Sequence, residues 1–206
     1  MRREFFNLFV VAFVLSFAFA ACKKDKKNGD VIKDGENLSV IDVKNVVDDT
    51  SAIVTVKAEV WDYETKEYHV LASGEYKNSS FKLTLPATIP DGCLESIEKY
   101  HFPMEMASDK EGKLASLDLF AYNQEEEKIG NFHMGDEMAY IEVVYMYADR
   151  NFTVNGIDDS MGLSIIYDLI FKKGWNIRYF VKKDGFTFTT KNPAGVTLKW
   201  YFYKKK

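Results

Sequence analysis

The chain is predicted to be all-β: an antiparallel β-sandwich or barrel of about ten strands, with at most one short helix, near residues 94–100. Three observations predict it. Apolar and polar residues alternate with period two along most of the chain. Gly, Asn, Asp and Pro break that alternation roughly every eight to twelve residues, as turns between strands do. Beyond the N-terminal segment, no long stretch keeps the 3.6-residue period of an amphipathic helix.

The globular part begins near Glu36, after the turn signal Lys33-Asp34-Gly35. In the first strand Ala52, Val54, Val56, Ala58 and Val60 share one face, and Thr55, Lys57 and Glu59 the other. Tyr68, Val70, Ala72 and Tyr76 are expected together on one face of the next. After Asn78-Ser79, Phe81, Leu83 and Leu85 alternate with Lys82 and Thr84 as far as Pro86, so 52–86 reads as an antiparallel meander with one buried face. Residues 86–106 hold three of the four prolines and are expected to cross between two groups of strands; any sub-boundary therefore falls near 86–112.

Alternation resumes with Leu117, Leu119 and Ala121 against Ser116, Asp118 and Tyr122, followed by a strand over 129–134. Glu125-Glu126-Glu127 between them reads as a solvated hairpin tip. Ile141, Val143, Tyr145 and Tyr147 lie opposite Glu142. A short strand at 153–154 should end in a turn at Asn155-Gly156. Leu163, Ile165, Tyr167, Leu169 and Phe171 then precede Lys172-Lys173-Gly174, and Trp175, Ile177, Tyr179 and Val181 follow it. This spacing predicts a hairpin in which Gly174 supplies φ > 0. Asp184-Gly185 leads to Phe186 and Phe188, and Asn192-Pro193-Ala194-Gly195 to a last strand with Val196, Leu198, Trp200 and Phe202 on one side.

At the N-terminus, Arg2 and Arg3 precede an apolar run over 5–21 that ends Phe19-Ala20-Ala21-Cys22. About 17 residues fall short of the ~20 that span a bilayer, and no stop-transfer flank follows. Charged start, apolar middle and small residues before a cysteine resemble a bacterial lipoprotein signal. The resemblance implies that residues 1–21 are a signal peptide cleaved after Ala21. Cys22 would then carry a diacylglyceryl group and an N-acyl chain such as palmitate, enough acyl length to hold durably in a membrane. Residues 22–35, which begin Cys22-Lys23-Lys24-Asp25-Lys26-Lys27, are too polar to bury a core and read as a flexible tether. Lys23 stands where an inner-membrane retention signal has Asp, so the expected location is the outer membrane, lipid-anchored and facing either the surface or the periplasm. Residues 36–206 then form a single β-rich domain.

Two further resemblances concern that domain. Val70-Leu71-Ala72-Ser73-Gly74-Glu75-Tyr76 and Phe81-Lys82-Leu83-Thr84-Leu85-Pro86 are similar to transthyretin-like and carboxypeptidase-regulatory-like β-sandwich modules, over 56–86. Tyr147-Ala148-Asp149, Lys172-Lys173-Gly174-Trp175-Asn176 and Lys199-Trp200-Tyr201-Phe202 resemble segments of uncharacterised envelope lipoproteins from gut anaerobic bacteria. These imply a cell-envelope β protein and carry no activity with them.

A net charge of −4 with mixed signs offers no basic patch, so nucleic acid is not an expected partner. A chain of this size with 47% hydrophobic residues buries roughly 70% of its unfolded surface and needs neither disulfide nor metal for stability. Of its two cysteines, lipidation of Cys22 leaves Cys93 unpaired, expected as a structural cysteine at a loop edge.

Few residues suggest chemistry. His69, His101 and His133 lack zinc-site spacing, and Gly162-Leu163-Ser164-Ile165-Ile166 lacks the second glycine of a nucleophile elbow. A two-carboxylate hydrolase would need Asp48-Asp49, Asp136-Glu137 or Asp158-Asp159 to meet a partner across a cleft. Residues 155–160 are an oxygen-rich turn of the kind that holds Ca²⁺ weakly. No catalytic residue, metal ligand or cofactor is assigned on this basis.

Trp175 and Trp200 keep phase with Ile177 and Leu198 and belong in the core. Trp61 falls out of phase with Val60 and, with Tyr63, is the candidate ligand contact. The expected function is a non-catalytic binding or accessory domain held at the membrane by Cys22, with a glycan or an envelope protein as partner. A structural or adhesive subunit of a surface assembly, and a hydrolase with an unrecognised acidic site, are the rival expectations.

Overall fold

A computed structural model describes residues 38–205 except Asp49, Glu137, Ala139, Met161, Lys183 and Asp184. The cleavage residue Ala21, the lipidation residue Cys22 and the 22–35 tether lie outside the described residues. The described chain is all-β and mostly antiparallel, sandwich-like, with no closed barrel. Its strands are β1 (Val40–Val43), β2 (Thr55–Asp62), β3 (Glu67–Glu75), β4 (Phe81–Thr84), β5 (Glu95–Ser96), β6 (Lys113–Tyr122) and β7 (Lys128–Gly135). They continue as β8 (Ile141–Ala148), β9 (Phe152–Asp158), β10 (Ile165–Phe171), β11 (Gly174–Val181), β12 (Phe186–Thr189) and β13 (Lys199–Lys204). The only helical pieces among the described residues are three 3-10 turns, Asp91–Cys93, Ile97–Tyr100 and Met104–Met106. The second falls where a short helix was expected.

The main sheet runs β3-β2-β6-β7-β8-β11-β12-β10-β9, with β13 added to β7 and β5 to β6. β6 is its spine. The end of β6 pairs with β2 and β7, while its start pairs with β8, Ser116 lying opposite Met146. β1 and β4 form a separate two-stranded ribbon. Alternation puts Val56, Ala58, Val60, Leu117, Leu119, Ala121, Phe132 and Tyr145 on the inner face, where they pack with Phe81, Leu83, Trp175 and Trp200 in the main core. Trp175 and Trp200 are 2% and 5% exposed, as their phase predicted.

A second core uses the opposite face of the same strands. Leu114, Met146 and Ala148 meet Phe152 and Val154 of β9, Tyr167, Leu169 and Phe171 of β10, and Ile97 and Phe102 of the crossover segment. Central strands buried on both faces explain the near-continuous apolar run of β8.

The structure corrects several local expectations. β10 and β11 are not a hairpin: β10 pairs with β9 and, in parallel, with β12, which is inserted between β10 and β11. Gly174 nevertheless has φ +100°, because the chain turns sharply there to reach another part of the sheet. Asn155-Gly156 is not a turn. It lies inside β9, where the missing side chain of Gly156 admits Met106; a Cβ there would stand 2.6 Å from its sulfur. The extended path of β9 also spreads the oxygen donors of 155–158 along a strand instead of around a cation.

Val54 is exposed rather than buried, because it precedes β2. Tyr68 and Val70 do not share the inner face with Ala72. A β-bulge shifts the register so that Ala58 faces Ala72 while Glu59 faces Val70 and Trp61 faces Tyr68. One extra residue in β3 reverses every side chain beyond it.

Candidate functional site

The outer face of β3, β2, β6 and β7 carries a cluster of rings and charges assembled by two bulges. The first, in β3, brings Tyr68 beside Trp61, their rings edge to face at 5.2 Å, and Tyr68 in turn meets Phe120 at 5.1 Å. The second lies between Ala121 and Tyr122, so that Tyr122 faces Lys128 while Ala121 faces Gly130. Without it Lys128 would share the inner face with Gly130 and Phe132; with it, the ammonium reaches the outer cluster.

There Lys128 Nζ lies 2.9 Å from Glu59 Oε2 and 3.4 Å from the centroid of the Phe120 ring, with Tyr68 at 4.4 Å and Tyr122 at 5.9 Å. Tyr122 donates its hydroxyl hydrogen bond to the other Glu59 oxygen. Glu59 is 2% exposed, and both its oxygens are engaged. Lys57 lies over the other part of Tyr122, 4.1 Å from its ring, and 2.6 Å from Glu126 at the hairpin tip. The cation–π and ion-pair contacts of Lys128 reinforce one another because Glu59 is shielded from water, whereas Glu126 at the tip stays exposed.

Asp118 stands directly across β2–β6 from Glu59. Its carboxylate accepts a hydrogen bond from the Tyr68 hydroxyl at 3.2 Å. Burial raises the Asp118 carboxyl above the usual carboxylate range, with the Tyr68 bond, His133 and Lys128 acting in the opposite direction. Burial, then the Asp118 charge, pushes the Tyr68 phenol up to about 12. His133 on β7 joins this face to its far side: its ring hydrogen-bonds Asn131 and meets Tyr203 edge to face at 5.2 Å. Beside it opens a cleft of about 280 Å³ lined by His133, Asp136, Glu142, Lys182, Tyr201 and Tyr203.

Both candidate contact residues are placed on this face, with different neighbours. Trp61 is half-buried against Tyr68. Tyr63 follows the end of β2, its N–H donating to the Gly92 carbonyl at 2.8 Å, and its side chain stands beside Tyr100. Tyr100 donates to the Leu114 carbonyl at 3.3 Å, and burial raises its phenol. Asp62 between the two candidates faces the turn, accepting from the N–H groups of Glu64 and Thr65, which lower its carboxyl.

The acidic pairs do not form a shared site among the described residues. Asp158 accepts from the Ser160 N–H and Asp136 from the Ile141 N–H, each closing its own turn; Asp49 and Glu137 lie outside the description. Among the described residues no group of three His, Cys, Asp or Glu side chains converges as a metal site requires. Cys93 is fully buried, and burial raises its thiol, which leaves it a poor nucleophile.

Sequence reading missed Glu59, Asp118, Lys128 and Tyr68. Glu59 and Asp118 were legible as outward residues of their strands. Their meeting depends on strand order, and the other two depend on bulges that period-two counting cannot see. No family model matches the chain, and no curated protein or solved structure is significantly similar to it.

Proposed function

We propose that this is a lipid-anchored protein of the outer membrane, tethered through Cys22, whose β domain binds a saccharide non-catalytically on the outer face around Trp61. The observation that carries this reading is the ladder Trp61–Tyr68–Phe120, left partly open to solvent and fixed from behind by the Lys128–Glu59 pair. Tyr68 is 40% exposed although a large core lies on the other side of its sheet. Rings held rigid at a surface beside hydrogen-bonding groups suit a pyranose, which offers C–H bonds on one side and hydroxyls around its rim. Asp118, His133 and Asn131 supply the polar groups.

Hydrolysis fits less well. A catalytic carboxylate must reach substrate, and Glu59 is sealed beneath Lys128 with both oxygens occupied. The lipid anchor is supported by the sequence around Cys22.

Binding is tested on a glycan array with the folded domain and Trp61→Ala. The expected result is a saccharide signal that falls at least tenfold in the variant. Ligand quenching of indole fluorescence should disappear with Trp61, since Trp175 and Trp200 are buried. Equal binding by the variant would sink the site. The anchor is tested separately: Cys22→Ser should move the protein from the membrane fraction to the soluble one, and retention in the membrane would refute it.

A further inference from the structure

Arg178 lies on β11 opposite Val144 of β8, on the same outer face, where that face meets the second core. Its Nε is enclosed by protein and has no hydrogen-bond partner among the described residues. Among the described residues no carboxylate forms a salt bridge with its guanidinium. The Phe188 ring lies 5.2 Å from Cζ and holds the planar group in place. Tyr100 and Glu142 are within electrostatic reach, and Glu142 partly offsets the charge from a position opposite Phe180. Burial lowers the affinity of this guanidinium for its proton, the mark of a cation withdrawn from water; arginine stays charged all the same.

A desolvated cation whose nearest carboxylate offsets its charge only from a distance costs stability, and a guanidinium presents paired donors that match a carboxylate. Of the three guanidinium nitrogens only Nε is both enclosed and unpartnered, so the terminal NH₂ groups are the part left for a ligand.

The position of Arg178 relative to Trp61 sets the size of that ligand. Val60 faces Leu117, which brings Trp61 alongside Ser116; Ser116 faces Met146, and Met146 faces Asn176. Trp61 and Asn176 are therefore three strand spacings apart, about 14 Å at ~4.8 Å per strand. Arg178 is two residues further along β11, and Tyr100, beside Ser116 and Tyr63, lies between. The second core covers the sheet between them at Met146, so a ligand that reaches both residues passes outside the half-buried Tyr100 and has the length of a short oligosaccharide.

We propose that Arg178 receives the carboxylate of an acidic oligosaccharide whose other end stacks on Trp61. This rests on the saccharide-binding reading above and adds the substrate class. The test uses an array of matched trisaccharides, each hexuronate beside its methyl ester and its neutral hexose counterpart, probed with wild type, Arg178→Met and Arg178→Lys, all checked for folding by near-UV circular dichroism.

Wild type should bind a uronate at least tenfold more tightly than its ester. Arg178→Met should lose that preference while keeping affinity for the ester. Arg178→Lys should retain only part of the preference, since an ammonium cannot engage both oxygens as a fork does. Wild type binding esters as well as uronates, or a folded Arg178→Met with the preference intact, would overturn the inference and leave the saccharide reading standing. Binding to none of the trisaccharides would overturn both.

Discussion

Lys128 and Arg178 are two cations on one sheet face, both partly withdrawn from water, with opposite surroundings. Lys128 has everything a buried ammonium needs: Glu59 at 2.9 Å and three rings turned toward it. Arg178 has one ring and, among the described residues, an enclosed Nε with no acceptor and no carboxylate in contact. The first arrangement is closed, with each charge satisfied inside the protein. The second is open and is completed only by something from outside. The difference separates a residue that builds the surface from a residue that meets a ligand, and stability measurements read it directly.

The largest effect is expected at Glu59. Glu59→Ala leaves the half-buried Lys128 over three rings without its counter-ion and Tyr122 without its acceptor, and breaking such a pair costs about 3 kcal/mol. Urea denaturation should show the loss with an unchanged slope. A change below about 1 kcal/mol would mean that Lys128 escapes to solvent, and the surface would then not be built by this pair.

Arg178→Met is the counterpart. Replacing an unpaired, desolvated cation with an apolar chain of similar length should leave unfolding free energy within about 1 kcal/mol of wild type, or raise it. A loss as large as that of Glu59→Ala would make Arg178 a structural residue and remove the contrast.

The fold was largely legible because alternation, turn residues and the absence of helical period are local signals. Inner-face residues such as Val56, Leu119, Tyr145, Trp175 and Trp200 could be read from phase alone. What the sequence hid was non-local. The insertion of β12 between β10 and β11 cannot be seen from Lys172-Lys173-Gly174, which is compatible with a hairpin and with a departure from the strand alike. The two bulges have no residue signature of their own, yet they move Tyr68 and Lys128 to the face that carries the site. Trp61 was found because it sat out of phase; its neighbour Tyr68 was missed because strict phase put it on the same face as Ala72.

The smallest expected effect belongs to Asp118, which stands opposite Glu59 but is not closed off by a cation as Glu59 is. Burial raises its carboxyl in the folded state, so the native protein holds that proton more tightly than the unfolded chain does. The stabilising contribution is therefore complete below the ordinary aspartate pKa of about 3.9 and is lost as pH rises through the higher native value. At neutral pH the ionised Asp118 is a small burden. Asp118→Asn keeps an oxygen to accept from the Tyr68 hydroxyl and removes the charge. Its stability should exceed that of wild type at pH 7 by no more than about 1 kcal/mol, the scale of one exchanged hydrogen bond. The advantage should shrink as the pH falls toward 3. Thermal melts of both proteins across that range decide it. An advantage that grows toward acid would mean that the folded state favours ionised Asp118, with Lys128 and His133 outweighing burial, and this face would then hold its two carboxylates in the same way rather than leaving one of them partly available.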